Sequence, residues 1–309
     1  MRETATTFSS AGLTLAGAYA TPDAEGPFPA ALLLPGSGPL DRDGNIKQVS
    51  LNVSRDLAGL LARVGWASFR FDKRGVAESE GEYLPTGFVD ELADAEAARD
   101  WLLARDDTST VVVIGHSAGA LHAAELAGPT PAVEGAILLA ATAKTGEETL
   151  RWQAAQIGDK IVPGPVKTLM RLFRTDVLKQ QDGAIRKLKA TTHDVARIQL
   201  QKVNAKWMRE FIDYDPKVAL AAASAPILAI TGAKDVQVDP ADLPVIAATA
   251  RHAQSLEVPD LDHILRHEPK PFSNPRHYGK QAKQPIDPRV TAAILDWLAA
   301  RPEPAATAG

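Results

Sequence analysis

Ser117 stands at the centre of the pentapeptide Gly-His-Ser-Ala-Gly, which follows a run of apolar β-forming residues. The pattern predicts a buried strand over 110–115 and a helix of small side chains over 117–128. A sharp turn from strand to helix strains the backbone of its central residue and exposes that side chain above the sheet. Bulky side chains two positions away on either side would collide, so Gly115 and Gly119 fit such a turn. We therefore interpret Ser117 as a catalytic nucleophile.

His263 is the histidine best placed to activate this serine. A serine hydroxyl becomes reactive when a base accepts its proton and an acid orients that base. His263 follows the last predicted strand, at the carboxyl end of the sheet, where Ser117 is also expected. The other six histidines are assigned to the serine turn, the next helix, the central insertion, the opposite end of the sheet or the surface: His116, His122, His193, His252, His267 and His277.

Asp235 is the predicted acid of the same triad. It follows the strand predicted over 225–232, at the carboxyl end of the sheet. Asp239 is the competing carboxylate, but it directly precedes a proline and is typical of a helix cap. No carboxylate ends the strand predicted over 134–141, which is the other plausible position. The order serine, aspartate, histidine along the chain is the one that accompanies a Gly-x-Ser-x-Gly turn.

Acyl transfer also requires donors for the negative charge that develops on the attacked carbonyl oxygen. The backbone N–H of Ala118, at the start of the helix, is one predicted donor. The second is expected from the turn after the third strand, Leu-Pro-Gly-Ser-Gly-Pro, in which Gly36 and Gly38 permit close backbone approach. The N–H of Ser37 is the candidate there, and the alternative is that this turn has only a structural role.

Short apolar strands alternate with helices along most of the chain. This alternation predicts an α/β fold with a mostly parallel central sheet of about eight strands flanked by helices. Residues 1–141 and 221–301 are expected to form this core, which opens with an antiparallel hairpin. Residues 142–220 contain no convincing strand and are predicted to form a helical cap inserted between strands 6 and 7. Residues 302–309 are predicted to be a flexible tail.

The composition is that of an ordinary globular protein. Of 309 residues, 45% are hydrophobic and 23% are charged, and the formal net charge of −4 favours neither nucleic acid nor an anionic membrane as a partner. The chain has no cysteine, which excludes disulfides, thiolate metal sites and a cysteine nucleophile. No cationic start precedes an apolar segment at the N-terminus, and no apolar run approaches about 18 residues. We therefore expect a cytoplasmic protein without a membrane span.

Together these motifs resemble the α/β-hydrolase superfamily, and the resemblance extends over about residues 3–301. Gly-His-Ser-Ala-Gly corresponds to the nucleophile elbow of that superfamily. The segment Asp-Lys-Arg-Gly-Val-Ala-Glu-Ser is similar to its Asp-x-Arg-Gly-x-Gly-x-Ser turn, with Ala77 in place of a glycine. Gly-Ser-Gly-Pro-Leu-Asp-Arg-Asp is similar to a segment of bacterial esterase-like proteins, although Pro35 stands where the family usually has histidine.

The resemblance implies a serine esterase that forms an acyl-enzyme and needs neither a metal nor an organic cofactor. Its expected partner is a small acyl ester or thioester. Three other functions stay open: an acyl-CoA thioesterase, an exopeptidase, and a small-ligand receptor without catalysis. Residues 142–215 carry 14 Lys and Arg against 9 Asp and Glu. This excess either favours an anionic substrate, such as a CoA thioester, or only solvates exposed helices.

Several large apolar side chains of the predicted cap are candidates for an acyl pocket, and the alternative is that they form the core of the cap itself. They are Trp152, Leu169, Met170, Phe173, Trp207, Met208 and Phe211. The sequence carries no indication of the oligomeric state.

Overall fold

The computed structural model describes residues 1–128, 132–161, 170, 175–198 and 201–301, so the predicted tail lies outside the described residues. The strands are β1 (Arg2–Ser10), β2 (Leu13–Thr21), β3 (Phe28–Leu34), β4 (Ala67–Phe71), β5 (Thr108–His116), β6 (Gly135–Leu139), β7 (Val195–Ile198), β8 (Gln201–Asn204), β9 (Ile227–Gly232) and β10 (Ala253–Val258). The α-helices are α1 (Val53–Arg63), α2 (Phe88–Leu103), α3 (Ala118–Leu126), α4 (Gly146–Ile161), α5 (Val177–Ala190), α6 (Ala205–Asp213), α7 (Pro216–Ala222), α8 (Leu243–Thr249), α9 (Tyr278–Gln281) and α10 (Pro288–Ala299). None of the helices in this described part combines the length and the hydropathy that a membrane crossing requires.

Eight strands form one sheet in the order β1-β2-β4-β3-β5-β6-β9-β10. β1 pairs antiparallel with β2, and β2 with β4, while the other neighbouring pairs are parallel. The predicted α/β fold, with its mostly parallel sheet of about eight strands and its opening hairpin, is confirmed. Because the carboxyl ends of parallel strands lie at one edge of a sheet, the loops after β3, β5, β9 and β10 come together there.

Helices cover both faces of the sheet, which explains why its central strands are apolar almost without interruption. Successive side chains of β3 and β5 alternate between the two faces. Leu32 and Val113 pack in one cluster with α2 and α3, whereas Leu33 and Ile114 pack in a second cluster with α1 and α10. Packing on both faces holds the ends of these strands, and the loops that leave them, in fixed positions.

The chain leaves the sheet after β6 and returns at β9, and helices α4 to α7 are inserted between these strands. The insertion lies where the helical cap was predicted. The expectation that it contains no strand was wrong, because β7 pairs antiparallel with β8. These strands have four residues each, and Ile198 and Val203 are only partly buried against Ile185 and Leu188 of α5. Such short strands depend on tertiary packing, which hydrophobic periodicity does not reveal.

Candidate active site

The turn between β5 and α3 holds Ser117 in an unusual backbone conformation. Its φ of 55° and ψ of −120° lie where a residue with a side chain is strained. A Cβ at Gly115 would overlap the carbonyl oxygen of Gly119, and a Cβ at Gly119 would overlap the carbonyl oxygen of Leu34 in β3. The strained strand-to-helix turn predicted from the pentapeptide is therefore confirmed. Gly115 permits the close approach of β5 to the start of α3, and Gly119 permits the close approach of α3 to the end of β3.

Asp235 and His263 lie in the loops that follow β9 and β10, and both are buried. Oδ2 of Asp235 is 2.8 Å from Nδ1 of His263. Oδ1 of the same carboxylate accepts the backbone N–H groups of Gln237 at 2.7 Å and Val238 at 3.1 Å. The carboxylate is thus fixed by three hydrogen bonds. Because Nδ1 must donate to it, Nε2 of the neutral imidazole is the unprotonated nitrogen.

Asp239, the competing carboxylate, makes other contacts. Its Oδ1 accepts the backbone N–H of Ala241 at 3.0 Å, as expected for a helix cap. Its Oδ2 accepts a hydrogen bond from Nζ of Lys144 at 2.9 Å. Both oxygens of Asp239 therefore accept hydrogen bonds from groups other than His263.

Two other histidines are packed near this edge of the sheet. Nε2 of His116 donates to the carbonyl oxygen of His263 at 2.8 Å, a contact that the sequence did not predict. Desolvation and the neighbouring His263 imidazole lower the pKa of His116 to about 4. Nε2 of buried His122 donates to the carbonyl oxygen of Phe88 at 3.2 Å, and burial lowers its pKa to about 3. The remaining four histidines are exposed: His193, His252, His267 and His277.

Ser37 and Ala118, the candidate oxyanion donors, line the same cavity as Ser117. Ala118 is the first residue of α3, where a backbone N–H has no acceptor inside the helix. Among the described residues, neither the Ser37 nor the Ala118 N–H donates to a protein acceptor. A Cβ at Gly36 would lie only 3.2 Å from Cβ of Ser117, so the turn after β3 closely approaches the serine.

Two cavities meet at Ser117. The larger, of about 510 Å³, lies between the carboxyl edge of the sheet and the insertion. The smaller, of about 180 Å³, is lined by Ser117, by His263 and by the segment that follows the turn after β3. The insertion supplies much of the apolar wall of the larger cavity through Leu150, Leu188, Val203, Trp207, Met208 and Phe211.

Trp207 and Phe211 have both of the roles considered for the cap residues: they form part of its core, and they line the larger cavity. The rings of Trp207 and Phe211 are stacked 5.0 Å apart and pack with Phe88 in one buried cluster, yet both side chains also line the larger cavity. Leu169 and Phe173, which were candidates for the same pocket, lie outside the described residues.

A buried ion pair connects the turn after β3 to the insertion. Nζ of Lys73 donates to the Gly36 carbonyl oxygen at 2.7 Å and to Oε1 of Glu91 at 2.9 Å. Oε2 of Glu91 accepts the indole N–H of Trp207 at 3.0 Å. This network was not predicted from the sequence. Its one signal was a lysine two residues after a buried strand, in the Asp-Lys-Arg-Gly segment.

A second buried charged cluster supports the loop that carries His263. Arg266 is fully buried and forms an ion pair with Asp56 of α1. Oδ1 of Asp262 accepts the backbone N–H of Arg266 at 2.8 Å, and burial raises the pKa of Asp262 to about 7. Charged residues on both sides of His263 were the only signal of this cluster before the fold was known.

A family model described as serine aminopeptidase, S33, matches residues 50–270. The chain belongs to this family. The family is part of the α/β-hydrolase superfamily, so the resemblance inferred from the sequence motifs is confirmed. The chain is an α/β hydrolase.

The relatives include esterases. The chain is 28% identical over 288 residues to esterase EstD of Thermotoga maritima, and the match covers 92% of this chain and 65% of that protein. The chain thus spans about 65% of the length of EstD. Est1E of Butyrivibrio proteoclasticus, solved with ferulic acid, has a TM-score of 0.64 at 14% identity, covering 95% of this chain and 99% of that one. The Pyrococcus furiosus esterase Pf2001 has a TM-score of 0.62 at 13% identity, covering 96% and 91%. Both structures share the fold of this chain.

Proposed function

We propose that the protein hydrolyses carboxylic esters through an acyl-enzyme on Ser117. The observation that carries this proposal is the buried hydrogen bond between Asp235 and His263, with His263 lining the same cavity as the strained serine. Acyl transfer uses a serine that a histidine activates and a carboxylate that orients the histidine. The esterase EstD and the fold neighbours give independent support for a carboxylic ester hydrolase.

In the first half of the reaction, Oγ of Ser117 attacks the ester carbonyl carbon while Nε2 of His263 accepts the hydroxyl proton. Asp235 holds Nδ1 and stabilises the imidazolium that forms. The carbonyl oxygen becomes an anion, and the backbone N–H groups of Ser37 and Ala118 are its proposed donors. His263 then passes its proton to the leaving alcohol oxygen, the bond to that oxygen breaks, and the acyl group remains on Ser117.

In the second half, a water molecule takes the place of the alcohol. Nε2 of His263 accepts a proton from this water as its oxygen attacks the acyl carbon. The same two N–H groups stabilise the second oxyanion, and His263 returns the proton to Oγ of Ser117 as the carboxylic acid leaves. The cycle balances with the ester and water as its only reactants.

An ester suits the larger cavity better than a peptide with a free amino terminus. Binding a buried ammonium group requires an anionic partner, because an unpaired charge is costly to desolvate. Among the described residues that line this cavity there is no Asp or Glu, and Lys202 is the charged side chain at its wall. Est1E holds ferulic acid, and an aromatic acyl group of that kind matches the aromatic wall formed by Trp207 and Phe211.

The test compares hydrolysis of p-nitrophenyl acetate, butyrate and octanoate by the wild type and by Ser117→Ala. We expect Ser117→Ala to lower kcat by at least ~10³-fold. Ser9→Ala is the matched control, because Ser9 is exposed on the edge strand β1. Turnover by Ser117→Ala at the wild-type rate would refute the proposal. Inactivity of the wild type toward all three esters, and toward alkyl esters, would refute it as well.

A further inference from the structure

We infer that the substrate is an ester of a bulky apolar acid with a small, uncharged alcohol, and that its two halves occupy different cavities. The acyl group lies in the 510 Å³ cavity under the insertion, and the alcohol lies in the 180 Å³ cavity beside His263. This inference rests on the proposed ester hydrolysis, which fixes the roles of the side chains around Ser117.

The groups that line each cavity determine which half of the bound ester lies in which cavity. Ser117 and Ser37 line both, Ala118 lines the larger one, and His263 lines the smaller one. A general acid must lie within hydrogen-bond reach of the oxygen that it protonates. The leaving oxygen therefore points toward His263 and the smaller cavity. With the oxyanion held near Ser37 and Ala118, the remaining substituent of the tetrahedral carbon, the acyl chain, extends into the larger cavity.

The walls of the smaller cavity limit the size of the alcohol. One wall is the segment from Leu40 to Ser54, which is tied to the core at its beginning. The backbone N–H of Arg42 donates to Oδ1 of fully buried Asp72 at 2.7 Å, and its Nε donates to the same oxygen at 3.1 Å. Oδ1 of Asp41 accepts two further backbone N–H groups of the segment. Because these partly buried bonds hold residues 41–45, this end of the wall cannot move outward without breaking them.

The lining of the smaller cavity also selects an uncharged alcohol. Its side chains include Leu40, Ile46, Leu51 and Ile264, and among the described residues that line it there is no Asp, Glu, Lys or Arg. A coenzyme A thioester would have to pass its large polar leaving group through this apolar space. The larger cavity falls within the usual volume range of small-molecule sites, about 300–1,000 Å³, and the smaller one falls below it.

The first experiment varies one half of the ester at a time with the wild-type protein. Ethyl, cyclohexylmethyl and adamantylmethyl esters of 3-phenylpropanoic acid differ in alcohol size, while all three are primary alkoxides of similar basicity. We expect kcat/KM to fall by at least ~10-fold from ethyl to adamantylmethyl. Ethyl esters of acetic, octanoic and 3-phenylpropanoic acid vary the acyl group, and kcat/KM should rise by ~10-fold or more from acetate to the larger acids.

Variants then assign each preference to its cavity. Ile46→Ala widens the smaller cavity and should raise the adamantylmethyl-to-ethyl ratio of kcat/KM by ~10-fold. Val203→Trp narrows the larger cavity and should lower the phenylpropanoate-to-acetate ratio by ~10-fold, without the same change in the alcohol ratio. Leu51→Ala is a second widening variant if Ile46→Ala does not fold. Each effect is measured as a ratio, so a general loss of activity cancels.

A reversed pattern would overturn the inference and leave ester hydrolysis intact. It would appear as tolerance of adamantylmethyl esters together with discrimination against large acyl groups, with all activity still lost in Ser117→Ala. A change of the acyl ratio by Ile46→Ala would overturn the assignment of the cavities in the same way. Esterase activity that persists in Ser117→Ala, by contrast, would show that the proposed function itself is wrong.

Discussion

Replacement of Lys73 by methionine should lower the free energy of unfolding by about 3–5 kcal/mol, because it leaves a buried carboxylate without its counter-ion. Lys73 is 5% exposed and Glu91 is 7% exposed. Nζ of Lys73 lies 2.9 Å from Oε1 of Glu91 and 2.7 Å from the Gly36 carbonyl oxygen. Methionine fills most of the space of the lysine stem, so the loss reports the removed charge and donors rather than a cavity.

The double variant Lys73→Met/Glu91→Gln separates the charge from the packing. Glutamine is neutral, and its carbonyl oxygen can still accept the indole N–H of Trp207, which lies 3.0 Å from Glu91. The double variant should therefore be more stable than the sum of the two single losses implies. We expect a coupling free energy of about 2–3 kcal/mol, as for groups in direct contact within one network.

The assay is urea unfolding followed by circular dichroism for the wild type, both single variants and the double variant. Lys47→Met is the control for the loss of a lysine, because Lys47 is exposed; its stability should change by no more than about 0.5 kcal/mol. If the losses of unfolding free energy in Lys73→Met and Glu91→Gln sum to that of the double variant within about 0.5 kcal/mol, the two side chains are not energetically coupled. That result would refute the prediction.

Three further perturbations test other parts of the structure. Burial lowers the pKa of His122 to about 3, so the neutral imidazole stabilises the fold fully above pH 6.5 and this contribution is lost as the pH falls toward about 3. Between pH 7 and pH 4.5 the free energy of unfolding of His122→Leu should therefore fall by about 2–3 kcal/mol less than that of the wild type. Burial raises the pKa of Asp262, so its effect on stability runs the other way, and the free energy of unfolding falls as the pH rises through about 7. Between pH 5 and pH 8 the free energy of unfolding of Asp262→Asn should therefore rise by about 2–3 kcal/mol relative to that of the wild type. Parallel pH profiles of variant and wild type would contradict either expectation. Gly119→Ala should lower both the melting temperature and the esterase rate, because the new Cβ would overlap the Leu34 carbonyl oxygen. Gly59→Ala is the control, because Gly59 in α1 has room for a methyl group, and its melting temperature should be equal to that of the wild type or higher.

The pairing of Asp235 with His263 was accessible from the sequence for a topological reason. Both residues follow buried strands, β9 and β10, and these strands are parallel neighbours in the sheet. Residues just beyond the carboxyl ends of parallel neighbours are brought together by the fold itself. The turn at Ser117 was accessible for a local reason, since its glycine spacing encodes a backbone conformation. The catalytic roles of Ser117, Asp235 and His263 remain predictions.

The contacts that the sequence did not reveal depend on packing between distant segments. Glu91 lies in the first turn of α2, where an acidic side chain is common and is normally interpreted as exposed. Its partners Lys73 and Trp207 come from two other segments. The β7–β8 strand pair was missed for a related reason. Its side chains are stabilised by α5 rather than by an alternating pattern of their own. No periodicity within one segment records such partners.

Covalent labelling shows directly whether Ser117 is the reactive nucleophile. The wild type, Ser117→Ala and Ser9→Ala would be treated with a fluorophosphonate, which captures an activated serine, and the modified residue would be located by peptide mass spectrometry. We expect one adduct, on Ser117, in the wild type and in Ser9→Ala, and no adduct in Ser117→Ala. An adduct on another residue, or labelling that persists in Ser117→Ala, would contradict the assignment of Ser117 as the nucleophile.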